Sequence, residues 1–368
     1  MLKIGITGIN GLLGTHLRAY LHTLKDVEVF GADRTTFSSE KHLADFVSSC
    51  DVIVHLAGMN RGADTEVVET NIRLADQLVK ALTAAQKTPH LIFSSSTQID
   101  KGTLYGDSKI ACSLRFMSWA KEQDALFTNL ILPNIFGEGG KPFYNSVVST
   151  FCHQLAHKQQ PVIKVDADIE FLHAGELACR IHAVIQKKEG GDIRLTGRSI
   201  KVSDLLNKLC GFSQVYEGQI IPDVKDKFDR QLFNTYRAYL YPQFYPVVLA
   251  LKKDDRGEVF ETVKTLGAGQ CFISTTKPGI TRGEHFHLNK LERFLVVKGE
   301  AKIRVRQLFS ADVKVFDVSG VRPCFIDIPT MHTHNITNIG QDELVTLFWS
   351  GEIFDPGMPD TFMEKVEA

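Results

Sequence analysis

Three groups of residues in this 368-residue chain have types and spacings that carry chemistry. The first is Thr7-Gly8-Ile9-Asn10-Gly11-Leu12-Leu13-Gly14, a Gly-x-x-Gly-x-x-Gly loop. Gly8 permits a tight turn, Gly11 lets the backbone approach a pyrophosphate, and Gly14 allows close packing of a helix on a strand. A dinucleotide anion would rest on the free N–H groups of Leu12 and Leu13 at the helix N-terminus. Downstream lies Asp33-Arg34. A carboxylate there accepts from a ribose 2′-OH and favours NAD, whereas a guanidinium pairs with a 2′-phosphate and favours NADP.

The second group is Tyr105-Gly106-Asp107-Ser108-Lys109, a Tyr-x-x-x-Lys pattern that a helix would bring to one face. A nearby ammonium favours phenolate. Tyr105 would then donate a proton to a carbonyl oxygen as hydride arrives, and take it back in reverse. Lys109 would also hold the nicotinamide ribose. Ser94-Ser95-Ser96-Thr97 ends the preceding strand and offers a hydroxyl to the same oxygen, Ser96 first and Thr97 second.

The third group is His285-Phe286-His287, followed by Glu292 and, later, by His332-Thr333-His334. On a strand His285 and His287 point to one face. A lone His-x-His is more often a polar strand face. With Glu292 and His334 added, three imidazoles and a carboxylate suit Zn, Fe, Mn, Ni or Co.

These groups need elements to hold them. Lys3–Thr7 reads as a strand, 12–24 as a helix and 27–31 as a strand. The run 51–56 is continuously apolar, as in a strand buried on both faces. A helix over 67–84 and strands at 90–94 and 128–132 complete a strand–helix alternation, which implies a parallel sheet covered by helices. The aromatic, Pro-rich stretch 239–246 reads as a packed linker. After it short strands recur at 258–263, 270–275, 294–297, 301–305, 313–318, 324–328 and 344–349, the pattern of an antiparallel sandwich or barrel.

Composition narrows the function classes. Lys+Arg 42 against Asp+Glu 43 leaves a net charge of -1, so no basic field draws in nucleic acid. With 24 Phe the chain supports packed cores rather than disorder. No apolar stretch approaches the ~18 residues of a membrane span. Ile4-Gly5-Ile6 runs straight into the Gly-rich loop, which reads as strand and turn rather than signal peptide. The 7 Cys are scattered and never spaced Cys-x-x-Cys, which implies reduced thiols and a cytoplasmic location.

The N-terminal motifs resemble the extended short-chain dehydrogenase/reductase family, which acts mainly on nucleotide sugars. Further matches are Val54-His55-Leu56-Ala57-Gly58, Asn71, Pro133-Asn134-Ile135-Phe136-Gly137 and Phe171-Leu172-His173-Ala174-Gly175-Glu176-Leu177. The resemblance covers about 1–240. It implies a doubly wound, Rossmann-like α/β fold. Tyr105, Lys109 and Ser96 would be catalytic, and Leu56, Ala57 and Gly58 would join Gly8, Gly11, Leu12, Leu13, Gly14, Asp33, Arg34 and Lys109 at the cofactor. Asn134 and Lys141 would face the sugar nucleotide. The C-terminal part resembles the cupins. Their first motif is met from Gly279 to Gly299, with His285, His287 and Glu292. The second is met at Pro329, His334 and Asn338, while Met331 stands where Gly is usual, so an altered turn is expected before His334.

A reductase followed by a cupin resembles the CapF-type bifunctional enzymes of bacterial capsule synthesis, almost end to end. The resemblance implies a dinucleotide-binding domain over 1–243 and an all-β, metal-binding cupin barrel over 247–368. It implies NADP(H), with NAD as the alternative, and a divalent metal, zinc foremost. The substrate would be a UDP-linked 2-acetamido-2,6-dideoxy-4-ketohexose. The cupin would epimerise C3, and the reductase would reduce the C4 ketone to UDP-N-acetyl-6-deoxy-L-talosamine, toward N-acetyl-L-fucosamine and capsule or O-antigen polysaccharide. Epimerisation needs proton carriers, for which Lys290, His332 and Glu292 are candidates. A homodimer is expected, without nucleic acid or membrane. Two other readings stand beside this one: a nucleotide-sugar epimerase or dehydratase whose cupin serves dimerisation only, and a non-enzymatic sensor of dinucleotides.

Overall fold

Continuous apolar runs in the first half form a sheet buried on both faces. The computed structural model, which describes residues 1–367, carries six parallel strands in the order Val27–Ala32, Leu2–Thr7, Val52–His55, His90–Ser96, Phe127–Leu132, Gly191–Arg194. Side-chain alternation sends apolar residues of these strands to both faces of the sheet. Ile53, Leu91 and Phe93 pack on one face with Leu78, Phe116 and Trp119. Ile4, Ile6, Val52, Val54 and Ile92 pack on the other with Leu17, Leu21, Leu177 and Ile181. Each such fully buried side chain stabilises the fold by about 1.5–3 kcal/mol.

The strand order reverses between Leu2–Thr7 and Val52–His55. Ligands of open α/β sheets bind outside the carboxyl ends of the strands at such a reversal. The Gly-rich loop leaves the first of these strands and Leu56-Ala57-Gly58 leaves the second. Helices Leu12–His22 and Leu104–Glu122 carry the residues that follow. A small sheet, Asn134–Phe136, Asp168–His173 and Arg198–Lys201, holds the next segments.

By its contacts the chain forms two compact units. One is Met1–Thr150 with Val165–Val202, and the other is the remainder. The change of character at 243–247 falls inside the second unit, between its helices and its sheets. That unit holds two five-stranded antiparallel sheets. One runs Val247–Val248, Cys324–Ile328, Glu292–Lys298, Leu344–Ser350, Gln270–Thr276. The other runs Val313–Ser319, Glu300–Gln307, His332–Asn338, Thr281–Phe286, Phe362–Met363. One core draws Phe294, Ile326 and Phe348 from the first sheet and Ile303, Val305 and Ile336 from the second. Helix Lys227–Leu240 is tied to these strands through buried Arg237, which donates to the carbonyl oxygen of Ile328 at 3.0 Å. Among the described residues no helix is long and apolar enough to cross a membrane.

Candidate active site and metal centre

The Gly-rich loop owes its shape to backbone crowding. Gly8 has φ +70°, in the left-handed region, and a Cβ there would lie 2.9 Å from the Ala57 nitrogen. A Cβ on Gly14 would sit 2.3 Å from the Gly8 carbonyl oxygen. Helix Leu12–His22 begins at Gly11, which provides no side-chain cap, so the N–H groups of Leu12 and Leu13 are left for an anion. Thr7 Oγ1 accepts from the Leu56 and Ala57 N–H groups, each at 3.1 Å, and so fixes the second loop against the first.

Asp33 and Arg34 follow the second strand, which ends at Ala32, and Asp33 has a role the motif did not disclose. Its Oδ1 accepts from Thr35 Oγ1 at 2.6 Å and from the Thr35 and Thr36 N–H groups at 2.9 and 3.2 Å, capping the short helix Arg34–Phe37. The Thr35 hydroxyl and these N–H groups hold its carboxyl below the usual carboxylate range. Arg34 is exposed on the first turn of that helix.

Tyr105 and Lys109 share a face of helix Leu104–Glu122, which Thr103 starts by accepting from the Gly106 N–H at 3.0 Å. Buried Lys109 donates to the Ser94 carbonyl oxygen at 2.8 Å, and its ammonium lies 5.7 Å from the centre of the Tyr105 ring. Ser96 Oγ accepts from the Gln98 N–H at 3.2 Å, capping a short 3₁₀ turn. An accepting hydroxyl keeps its O–H free to donate to a ketone. Asn71 ties the loops together: it accepts from the Met59 N–H at 2.7 Å and donates to the Met59 carbonyl at 2.9 Å and to Ser108 Oγ at 3.1 Å. Asn134, which opens the strand Asn134–Phe136, and Lys141 are both exposed, with the Lys141 ammonium 5.3 Å from the Tyr144 ring centre.

In the second unit His285, His287, Glu292 and His334 converge, with one ligand atom from each lying within 4.8 Å of the others. His287 Nδ1 donates to the Asp360 carbonyl at 2.6 Å and His334 Nδ1 to the His332 carbonyl at 3.1 Å. A carbonyl only accepts, so both protons sit on Nδ1. The two Nε2 atoms then face Glu292 Oε2 at 3.2 and 3.1 Å. A divalent cation between them would take both lone pairs and the carboxylate oxygen as ligands. Burial, then the neighbouring His334 and His287, push His285 down to about 3, so it too presents a lone pair. This donor set, with its outer nitrogens oriented by carbonyls, fits a borderline-soft divalent ion. A cavity of about 530 Å³ opens on it, lined by His285, Glu292, Arg282, Phe272, Phe294 and Phe348.

Comparison with known proteins places the chain in a family. Residues 4–196 match the NAD dependent epimerase/dehydratase family, and residues 252–362 match the polysaccharide biosynthesis C-terminal domain. A Pseudomonas aeruginosa protein, UDP-2-acetamido-2,6-beta-L-arabino-hexul-4-ose reductase, is 30% identical over 366 residues, 98% of each chain. The crystal structure of the capsular polysaccharide assembling protein CapF from Staphylococcus aureus is 32% identical, with TM-score 0.65 over 98% of this chain and 99% of that one. The chain is a CapF-type member of the NAD dependent epimerase/dehydratase family. A structure of CapF with the inhibitor 3-isopropenyl-tropolone is 30% identical at TM-score 0.60, covering 99% of this chain and 100% of that one.

Two candidate proton carriers of this CapF-type chain are not brought to the cavity. Buried Lys290 donates to the Pro359 carbonyl at 2.7 Å and to Thr361 Oγ1 at 3.3 Å, so it struts the C-terminal segment. His332 Nδ1 bonds the Thr330 carbonyl at 2.8 Å, and its ring packs edge-on against Tyr241 with centres 5.1 Å apart. Neither lines the cavity. The turn before His334 keeps the conformation that Gly would favour: Met331 has φ +57°, donates to the His287 carbonyl at 2.7 Å and accepts from the Leu308 N–H at 2.9 Å. Two backbone hydrogen bonds and burial of the thioether thus offset the strain of a left-handed non-Gly residue. Sequence reasoning missed a further buried cluster, His16, Glu138 and His173.

Proposed function

We propose that the N-terminal unit reduces the C4 ketone of a UDP-linked 2-acetamido-2,6-dideoxy-4-ketohexose. The product is UDP-N-acetyl-6-deoxy-L-talosamine, on the way to N-acetyl-L-fucosamine in a capsule or O-antigen polysaccharide. The observation that carries this reading is Lys109, held between the Ser94 carbonyl and the Tyr105 ring at the carboxyl edge of the sheet. Bound NADPH, or NADH as the alternative, supplies the hydride. The chain's own residues do the rest. Ser96 donates to the ketone oxygen and Tyr105 delivers the proton that turns the developing alkoxide into a hydroxyl, a step worth about 10²–10⁴-fold. Lys109 keeps the phenol oriented and reaches the nicotinamide ribose. Gly8, Gly11, Leu12, Leu13, Gly14, Leu56, Ala57, Gly58, Asp33 and Arg34 hold the dinucleotide, while Asn134 and Lys141 face the sugar nucleotide.

The second unit is proposed to be a cupin barrel that epimerises C3 of the same sugar before reduction. The 4-keto group acidifies the C3 proton, and removing it needs stabilisation of an enolate. A divalent ion, zinc foremost, held by His285, His287, Glu292 and His334 would supply Lewis acidity there. Phe272, Phe294 and Phe348 give the cavity an apolar side. The edge strand Gln270–Thr276, which exposes Phe272 and Ile273, is where a homodimer would pair its sheets. NADPH absorbance during incubation with the 4-keto UDP-sugar tests the reductase reading. Sugar-dependent oxidation is expected, and its absence with both dinucleotides would refute it.

A further inference from the structure

The loop that carries Lys141 is rich in glycine. Gly137-Glu138-Gly139-Gly140 contains one side chain in four residues, and Gly139 has φ +81°. Glycine pays the largest conformational entropy on ordering. That one side chain is buried, with Glu138 only 6% exposed. His173 Nε2 lies 2.9 Å from Glu138 Oε2, and His16 Nε2 lies 2.9 Å from the Glu138 carbonyl oxygen and 3.8 Å from Oε2.

The partners settle the tautomers. His16 Nε2 faces a carbonyl oxygen, so it carries the proton. His173 Nδ1 accepts from the Gly175 N–H at 3.2 Å, so its proton is on Nε2. Both nitrogens that face the carboxylate are therefore donors, and the cluster is a hydrogen-bonded clamp rather than a cation site. Each histidine belongs to a different element. His16 lies on the helix that starts at the Gly-rich loop, and His173 caps helix Ala174–Lys187. At the far end of the loop the exposed Arg61 guanidinium donates to the carbonyls of Phe143 and Tyr144.

We propose that Glu138 is a positioning residue that, with Arg61, fixes the loop bearing Lys141 so that it grips the diphosphate of the sugar nucleotide. The inference rests on the reading that Asn134 and Lys141 face that ligand. Glu138 touches neither cofactor nor sugar. It acts through the loop, so its loss falls on sugar-nucleotide binding and not on the dinucleotide.

The test uses the full chain with UDP as probe, by calorimetry, together with steady-state rates. In Glu138→Ala, UDP affinity should fall about tenfold and the KM for the sugar nucleotide should rise by as much, while kcat and the KM for NADPH stay within about twofold. Glu138→Gln, which still accepts from His173, should recover part of the loss. Arg61→Ala, at an exposed position, should show the same split. Unchanged UDP affinity in Glu138→Ala and Arg61→Ala would overturn the proposal. So would an equal loss of UDP and NADPH affinity with a lowered melting temperature, which would make Glu138 a support of the fold alone. Wild-type protein that binds UDP without reducing any 4-keto UDP-sugar would end the reductase reading and leave the clamp standing.

Discussion

Lys109 Nζ lies 2.8 Å from the Ser94 carbonyl oxygen and 5.7 Å from the centre of the Tyr105 ring, so one ammonium joins the end of a buried strand to the candidate acid. The phenol oxygen is the only part of Tyr105 that this arrangement needs for chemistry. Tyr105→Phe should therefore bind dinucleotide as wild type does and lose about 10²–10⁴-fold in ketone reduction. Calorimetry for the cofactor and NADPH absorbance for turnover separate the two. Undiminished turnover would remove Tyr105 from the mechanism.

Gly14 tests the dinucleotide loop. A Cβ there would meet the Gly8 carbonyl oxygen at 2.3 Å and Ile9 backbone at 2.7 Å, neither of which is a flexible side-chain end. Gly14→Ala should cost about 1–3 kcal/mol of stability and weaken dinucleotide binding, because the loop must move off the helix. A melting curve with and without NADPH reads both effects. A variant that melts and binds like wild type would mean that the loop already has that slack.

How far these features were legible depends on how local their causes are. Val52–His55 is buried at every position, and its run of apolar residues announced a two-faced strand. The Gly-rich loop was legible because steric crowding there excludes side chains at specific positions. The set His285, His287, Glu292 and His334 was legible from His-x-His and the resemblance to the cupin motifs, and the structure brings the four together from two sheets. Lys290 was named as a candidate proton carrier with no local sign of its partners, because Pro359 and Thr361 lie 69 and 71 residues away. Glu138 was missed for the same reason, since His16 is 122 residues distant. Asp33 carries a local cap that competes with its reading as a ribose ligand. Met331 shows that residue type does not dictate a left-handed φ when tertiary hydrogen bonds hold it.

The proposed metal centre makes a prediction that is independent of the reductase. Protein purified without chelators should contain about one divalent ion per chain, and His334→Ala should lose it, because the remaining donors no longer close a tetrahedral set. In a Tyr105→Phe background, which halts reduction, incubation in heavy water should still exchange the C3 proton. Adding His334→Ala should stop that exchange. Exchange that continues at the wild-type rate without metal would dismiss the ion from epimerisation.

The last prediction concerns Arg293 and Asp327, which pair through two parallel bonds of 2.7 and 2.9 Å while both are buried. Tyr216 also donates to Asp327, and Arg237 anchors its helix beside the pair at the Ile328 carbonyl. Burial alone would raise the Asp327 carboxyl, but the Arg293 guanidinium outweighs it and holds the group below the usual carboxylate range. The folded state therefore favours the ionised form. The stabilisation is full above the unfolded aspartate value of about 4 and is lost as pH falls through the lower folded value. Asp327→Asn leaves Arg293 buried without its counter-charge, which should cost about 3–5 kcal/mol at neutral pH. Urea unfolding, followed by Trp349 fluorescence in a Trp119→Phe background, measures the gap between wild type and variant. The gap should narrow as pH drops below about 4. A gap that stays constant down to acid pH would mean that the stabilisation comes from packing around the pair and not from its charge.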